Sequence, residues 1–138
     1  MKKFLAIVIM SLLLFSNVNA EWSLFSNPKG KGISFYIDIQ SLKKRDGFVY
    51  VWILQDYEKP YIRPNLPQGT IKKIYSIKMY DKLDCTTNGV ATIQYIYYSE
   101  NMGKGKFELF QWDEEKWQYN PPGTVMGDLT KVICDKIK

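Results

Sequence analysis

Histidine is absent from all 138 residues. That one absence removes the commonest general base, the commonest metal ligand and most serine or cysteine triads. Cysteine is limited to Cys85 and Cys134, without the C-x-x-C spacing of a redox pair and with too few thiols for a cysteine-only zinc site. Internal repeats, low-complexity tracts and domain linkers are also missing. Carboxylates are present at Asp38, Asp56, Asp81, Glu100 and Asp113-Glu114-Glu115. Their spacing singles out no pair of the kind that flanks a glycosidic bond. Gly103-Lys104-Gly105-Lys106 lacks the spacing of a phosphate loop and opens no helix, so it reads as a turn carrying solvated lysines. The expectation is a chain that is not an enzyme and needs no cofactor and no metal.

Long apolar runs are confined to the first twenty residues. Lys2 and Lys3 precede Phe4–Met10 and Leu12–Phe15, and Val18-Asn19-Ala20 supplies a small-residue cleavage site. This is the pattern of a signal peptide, with cleavage expected before Glu21. The apolar stretch is short for a hydrocarbon core of roughly 30 Å. The expected organisation is residues 1–20 as a cleaved signal and 21–138 as a single exported domain. No cysteine follows the cleavage point to carry a lipid anchor, and no transmembrane segment remains after it. The formal charge of +5 loses Lys2 and Lys3 with the signal, leaving +3. That bias is too weak to argue for nucleic acid as a partner.

In an exported chain an even pair of cysteines reads as a disulfide, and two cysteines permit one connectivity. Cys85–Cys134 would close a loop of about fifty residues, which chain entropy converts to roughly 4 kcal/mol of stability. Aromatic residues are abundant, 10 Tyr, 7 Phe and 4 Trp, many at alternating positions that favour half-buried strands. Core and cross-strand packing is the simpler assignment for them than a ligand platform.

Period-2 segments separated by turn residues run along most of the chain. Trp22–Phe25 and Ile33–Ile37 are short strands. Asp38–Leu42 reads as a tight helical turn and Lys43–Gly47 as a solvated hairpin loop. Phe48–Tyr57 is a central strand, and prolines at 60, 64 and 67 predict an extended loop after it. Ile71–Cys85 alternates, with Ile71, Tyr75, Ile77, Met79, Leu83 and Cys85 inward and Lys72, Ser76, Lys78 and Lys82 outward. Thr87-Asn88-Gly89 turns into Val90–Tyr98, and Asn101–Gly105 into Phe107–Trp112. Such neighbouring strands form an antiparallel meander. After Pro121-Pro122-Gly123, Thr124 is a helix N-cap, and Val125, Leu129, Val132 and Ile133 recur at helical spacing. Asp128 near the start and Lys131, Lys136 and Lys138 near the end suit the helix dipole. The fold class is α+β, one helix covering one sheet face. The outward lysines Lys72, Lys78 and Lys82, with Lys73 adjacent, are the candidate ligand-binding residues, because a basic strand can steer an acidic protein or glycan. The plainer reading is a solvated strand face.

The order of motifs resembles the bacterial surface-adhesin protein E family. The resemblance rests on Tyr36-Ile37-Asp38 before Ser41-Leu42, on Val49-Tyr50-Val51-Trp52, and on Leu83-Asp84-Cys85. Tyr97-Tyr98-Ser99 followed by Asn101-Met102-Gly103-Lys104-Gly105, and the closing Pro122–Cys134 segment, extend it over nearly the whole exported chain. It implies a six-stranded antiparallel sheet with a C-terminal helix tethered by the disulfide. It also implies adhesion to host extracellular-matrix or plasma proteins such as vitronectin, laminin and plasminogen, with a homodimer as one arrangement. A basic stretch on the strand leading to the first cysteine is implicated in the family's binding; Lys72 and Lys78 match basic positions there and Ile71 does not. The alternative is a periplasmic envelope or inhibitor protein with a bacterial partner, which leaves periplasm and cell surface or secretion as the two destinations.

Overall fold

The computed structural model describes residues 21–64 and 70–137. The expected signal peptide and Pro67 lie outside the described residues. Seven strands, a short 3-10 turn and one α-helix follow in order: β1 Trp22–Ser26, β2 Ile33–Arg45, β3 Phe48–Ile62, β4 Lys73–Asp84, β5 Gly89–Glu100, the 3-10 turn Asn101–Gly103, β6 Lys104–Gln111, β7 Trp117–Tyr119 and α1 Val125–Ile137. All the strands join one antiparallel sheet in the spatial order β1 to β6, each beside its sequence neighbour. Short β7 was not foreseen. It pairs with the start of β5, Gly89 opposite Tyr119 and Ala91 opposite Trp117. Gly89 has no room for a side chain there, since a Cβ would lie 2.9 Å from the Tyr119 ring.

Two local expectations change. Asp38–Leu42 is not a helical turn but a wide irregularity inside β2. The chain takes five steps from Asp38 to Lys43 while β3 takes two, from Trp52 to Tyr50. Pairing then resumes through Arg45 opposite Phe48, so the hairpin loop shrinks to Asp46-Gly47. Both have positive φ, 53° and 81°, the backbone a two-residue hairpin of matching twist requires. Pro60 likewise sits inside β3, where the register shifts between Asp56 and Tyr61. The shift breaks the alternation of β4 opposite, so Ile74 enters the core while Tyr75 stays half-buried and Ile71 lies ahead of the strand.

Further along β4 the alternation holds. Ile77, Met79 and Leu83 join Ile37, Val49, Val51, Ile53 and Val90 under Leu129 and Ile133 of α1. These two helix residues are one turn apart and fully buried, each contributing roughly 2 kcal/mol. Thr130 and Cys134 flank them, and Val132 stays half exposed, outside the apolar stripe. Thr124 caps the helix as expected, its Oγ1 accepting the Gly127 N–H at 3.1 Å. Asp128 accepts the Gly123 N–H at 3.0 Å. The Cys85–Cys134 disulfide, with Cα atoms 5.6 Å apart, ties the helix to the end of β4. No helix among the described residues is long and apolar enough to cross a membrane.

Candidate functional site

The sole described α-helix covers one face of the sheet, and the other carries no second layer among the described residues. Directly opposed residues on neighbouring antiparallel strands share a face, so register defines what the open face presents. One row runs Trp22, Asp38, Trp52, Tyr80 and Gln94; the next includes Leu54, Lys78, Ile96 and Leu109; a third includes Ser76, Tyr98 and Phe107. Trp52 stacks on Tyr80 with ring centroids 4.8 Å apart and planes 28° from parallel. With Trp22 and Tyr98 they wall a cup of about 440 Å³.

The irregularity in β2 builds the polar side of this cup. Ser41 folds back into the gap, donating to the Asp38 carbonyl at 2.7 Å and accepting the Trp52 N–H at 2.9 Å. A ladder bond that the missing register would have lost is thereby replaced. The same excursion brings Asp38, Gln40, Ser41 and Lys43 to the cup. Asp38 is buried and its Oδ1 has no hydrogen-bond partner among the described residues.

Lys78 rises from β4 inside the cup. Its Nζ lies 5.1 Å from the Tyr98 ring centre and 5.6 Å from that of Trp22, within reach of their electron-rich faces. No carboxylate among the described residues ion-pairs with it. Desolvation lowers its pKa, opposed by the charge of Asp38. Lys82 is placed differently. Its Nζ bonds Glu115 at 2.6 Å and sits 4.2 Å from the Phe48 ring centre. The Glu115 hydrogen bond raises its pKa. Lys73 is exposed at the start of β4 opposite Ile62, and Lys72 is exposed just before it. The four lysines therefore do not form one row: Lys78 lies in the cup, Lys82 is engaged, and Lys72 and Lys73 lie at the far end of the strand.

Sequence reasoning missed Trp22, Asp38, Trp52, Tyr80 and Tyr98 as site residues. It assigned the aromatics to packing and left Asp38 among carboxylates whose spacing singled out no pair. Parity held the clue, because Tyr80 shares the even-numbered set of β4 with Lys78 and Lys82. Bringing Trp22 and Asp38 into that row required the pairing of β1, β2 and β3.

These features define a small single-sheet domain with one face sealed by a disulfide-tethered helix and the other open to partners. The chain belongs to the surface-adhesin protein E family, whose sequence model matches residues 22–135. No curated protein matches it in sequence. Among solved structures it is similar to Haemophilus influenzae protein E in crystal form II, with TM-score 0.62 and 19% identity over 87% of this chain and 91% of that one. A second structure of Haemophilus influenzae protein E gives TM-score 0.60 and 18% identity, covering 87% and 88%. Protein E from non-typeable Haemophilus influenzae gives 0.58 and 16%, covering 85% and 86%. At these identities the likeness shows a shared fold.

Proposed function

We propose that this chain is an exported, non-enzymatic adhesin domain that binds host extracellular-matrix or plasma proteins of the vitronectin, laminin and plasminogen kind through its open sheet face. The observation that supports this reading is the gathering of Trp22, Trp52, Tyr80 and the unpaired Lys78 on the face without a helix. Tryptophan and tyrosine present large, rigid contact area, and such residues dominate binding energy at protein interfaces. Family membership supplies the adhesin-like role. Lys72 and Lys73, exposed beside the exposed Tyr61 and Ile62, offer a second, basic contact area on the same domain. The exposed edge strand β6 gives another copy a place to pair.

The test joins location to binding. Intact expressing cells are treated with protease, with a periplasmic protein as leakage control, and purified protein is titrated onto immobilised vitronectin, laminin and plasminogen. Digestion with the control spared, together with saturable binding to at least one of the three, is expected. Protection until the outer membrane is permeabilised, with no saturable binding, overturns the reading in favour of a periplasmic partner.

A further inference from the structure

We propose that the cup on the open face is a binding site for a carboxylated sugar, its ring packing against the stacked Trp52–Tyr80 pair, its carboxylate meeting Lys78 and a hydroxyl donating to Asp38. The inference rests on the reading of this face as the binding face and names the chemistry of one ligand it takes.

Three observations carry it. The first is the stacked pair of Trp52 and Tyr80, ring centroids 4.8 Å apart, in the wall of an open cup. Aromatic faces carry negative potential, and the polarised C–H groups on one side of a sugar ring pack well against them. The second is an ammonium without a direct ion pair. Lys82, four residues along, is ion-paired to Glu115, whereas Lys78 feels the charge of Asp38 across the cup but lies against rings, with no carboxylate at ion-pair distance among the described residues. A ligand carboxylate would supply that direct partner. The third is Asp38, buried beside Gln40 and Ser41 with one oxygen unpartnered. A buried carboxylate oxygen left without a donor is costly, and a hydroxyl is a donor that brings no second charge.

The same features disfavour other occupants. A peptide strand would need a long free run of backbone groups, but β3 to β5 beneath the cup are paired on both sides, and the stretch of β2 outside the ladders spans only residues 39–42. The cup is therefore read mainly through side chains, which suits a ligand recognised by ring faces and hydroxyls. A cation would meet Lys78 and Lys43. A phosphate, with up to two negative charges, would crowd Asp38. The volume of about 440 Å³ falls within the range of small-molecule sites and admits one or two sugar rings.

The experiment follows intrinsic tryptophan fluorescence and amide NMR shifts while D-glucuronate, D-glucose or inorganic phosphate is titrated into purified protein. Saturable change with glucuronate is expected, at least tenfold weaker with glucose and with phosphate. Shifts should centre on Trp22, Trp52 and Tyr80. Lys78→Gln and Trp52→Phe, each checked for native circular dichroism, should weaken glucuronate about tenfold, while Lys131→Gln, on the exposed side of α1, changes it less than twofold. No saturable glucuronate binding, equal response to glucose, or an unchanged affinity in folded Lys78→Gln overturns the proposal. Free sugar is measured without any host protein. Loss of the sugar site with matrix binding intact therefore overturns this inference alone, and sugar binding without matrix binding overturns the adhesin reading alone.

Discussion

The side chain of Lys78 passes beneath Gly103: a Cβ at Gly103 would meet Lys78 Cε at 2.5 Å. Gly103 has φ of 69°, so its lack of a side chain serves both the turn and the lysine. That turn, Asn101–Gly103, is pinned to the sheet by two side chains. Asp56 accepts the Met102 N–H at 2.7 Å, and Ser76 Oγ accepts the Gly103 N–H at 2.9 Å. The Asn101-Met102-Gly103 motif therefore helps to hold the ammonium over Trp22 and Tyr98. Gly103→Ala is expected to cost about 1–2 kcal/mol in urea unfolding, from strain at positive φ and displacement of Lys78. A midpoint equal to wild type would show that the lysine adjusts freely and that the turn does not position it.

Asp81 sits on the opposite face, fully buried between Val51 and Thr92. Thr92 Oγ1 donates to its Oδ1 at 2.6 Å, while Oδ2 has no partner among the described residues. Burial raises its pKa from 3.8 to about 6, the Thr92 bond opposing. A raised carboxyl pKa means that the native state holds the proton more tightly than the unfolded chain. This group's destabilisation is therefore absent below pH 3.8, grows as pH rises towards 6, and is complete above it. The full effect is about 3 kcal/mol. Asp81→Asn, which keeps an acceptor for Thr92 and removes the charge, should be more stable than wild type at pH 7.5. That difference should shrink through pH 4 and vanish by about pH 3. A difference independent of pH would show that ionisation of Asp81 is not its source.

Much of this architecture was legible in the sequence because its signals are local. Alternation in β4 placed Ile77, Met79 and Leu83 on the core side and Lys78 and Lys82 on the other. Pro122-Gly123-Thr124 marked the start of α1. What escaped depends on pairing. A register excursion at Asp38–Lys43 carries no composition signal distinguishing it from a helical turn, since Ser41 satisfies the backbone in either case. The cup needed the register of four strands before Trp22, Asp38, Trp52 and Tyr80 could be seen as one row. Lys82 looked like Lys78 in sequence, and Glu115, thirty-three residues away, makes them different.

The disulfide should act chiefly on stability. It joins residues 49 apart, and the loss of denatured-state entropy predicts about 4 kcal/mol. The double replacement Cys85→Ser and Cys134→Ser should lower the urea midpoint accordingly, while protection of amides in β3 and β4 outlasts that of α1 in hydrogen exchange. The helix is joined to the sheet by the disulfide and by a few side chains led by Leu129 and Ile133. Equal loss of protection in the helix and the central strands would mean that the bond supports the whole domain rather than the docking of α1.

Charge reversal separates the lysines. Lys78→Glu would place a second carboxylate near Asp38 and should weaken binding to an immobilised matrix ligand about tenfold, with reduced salt sensitivity. Lys82→Glu would face Glu115 across 2.6 Å and should register first as lowered stability. Binding losses equal for both variants, at matched stability, would show that the open face acts through its overall charge rather than through the cup.

The last prediction concerns the free edge. Among the described residues β6 pairs only with β5, and its outer-face residues Phe107 and Leu109 are 67% and 53% exposed. Phe110, on the other face, is 43% exposed. An exposed apolar edge with unpaired N–H and C=O groups is a template for another strand. Lys104 and Lys106 restrain one end, but no charge follows Glu108 within the strand, and Glu108 itself is bonded to Arg63 at 2.7 Å. Two copies related by a two-fold axis could pair their β6 strands antiparallel, extending the open face into one continuous surface. Sedimentation equilibrium should then show a mass that rises with concentration towards twice that of the monomer. Leu109→Lys, which puts a charge at the centre of that edge, should return it to the monomer without lowering the urea midpoint by more than about 0.5 kcal/mol, as is usual for an exposed position. A wild-type monomer at every concentration would leave this edge to an extended segment of a partner protein.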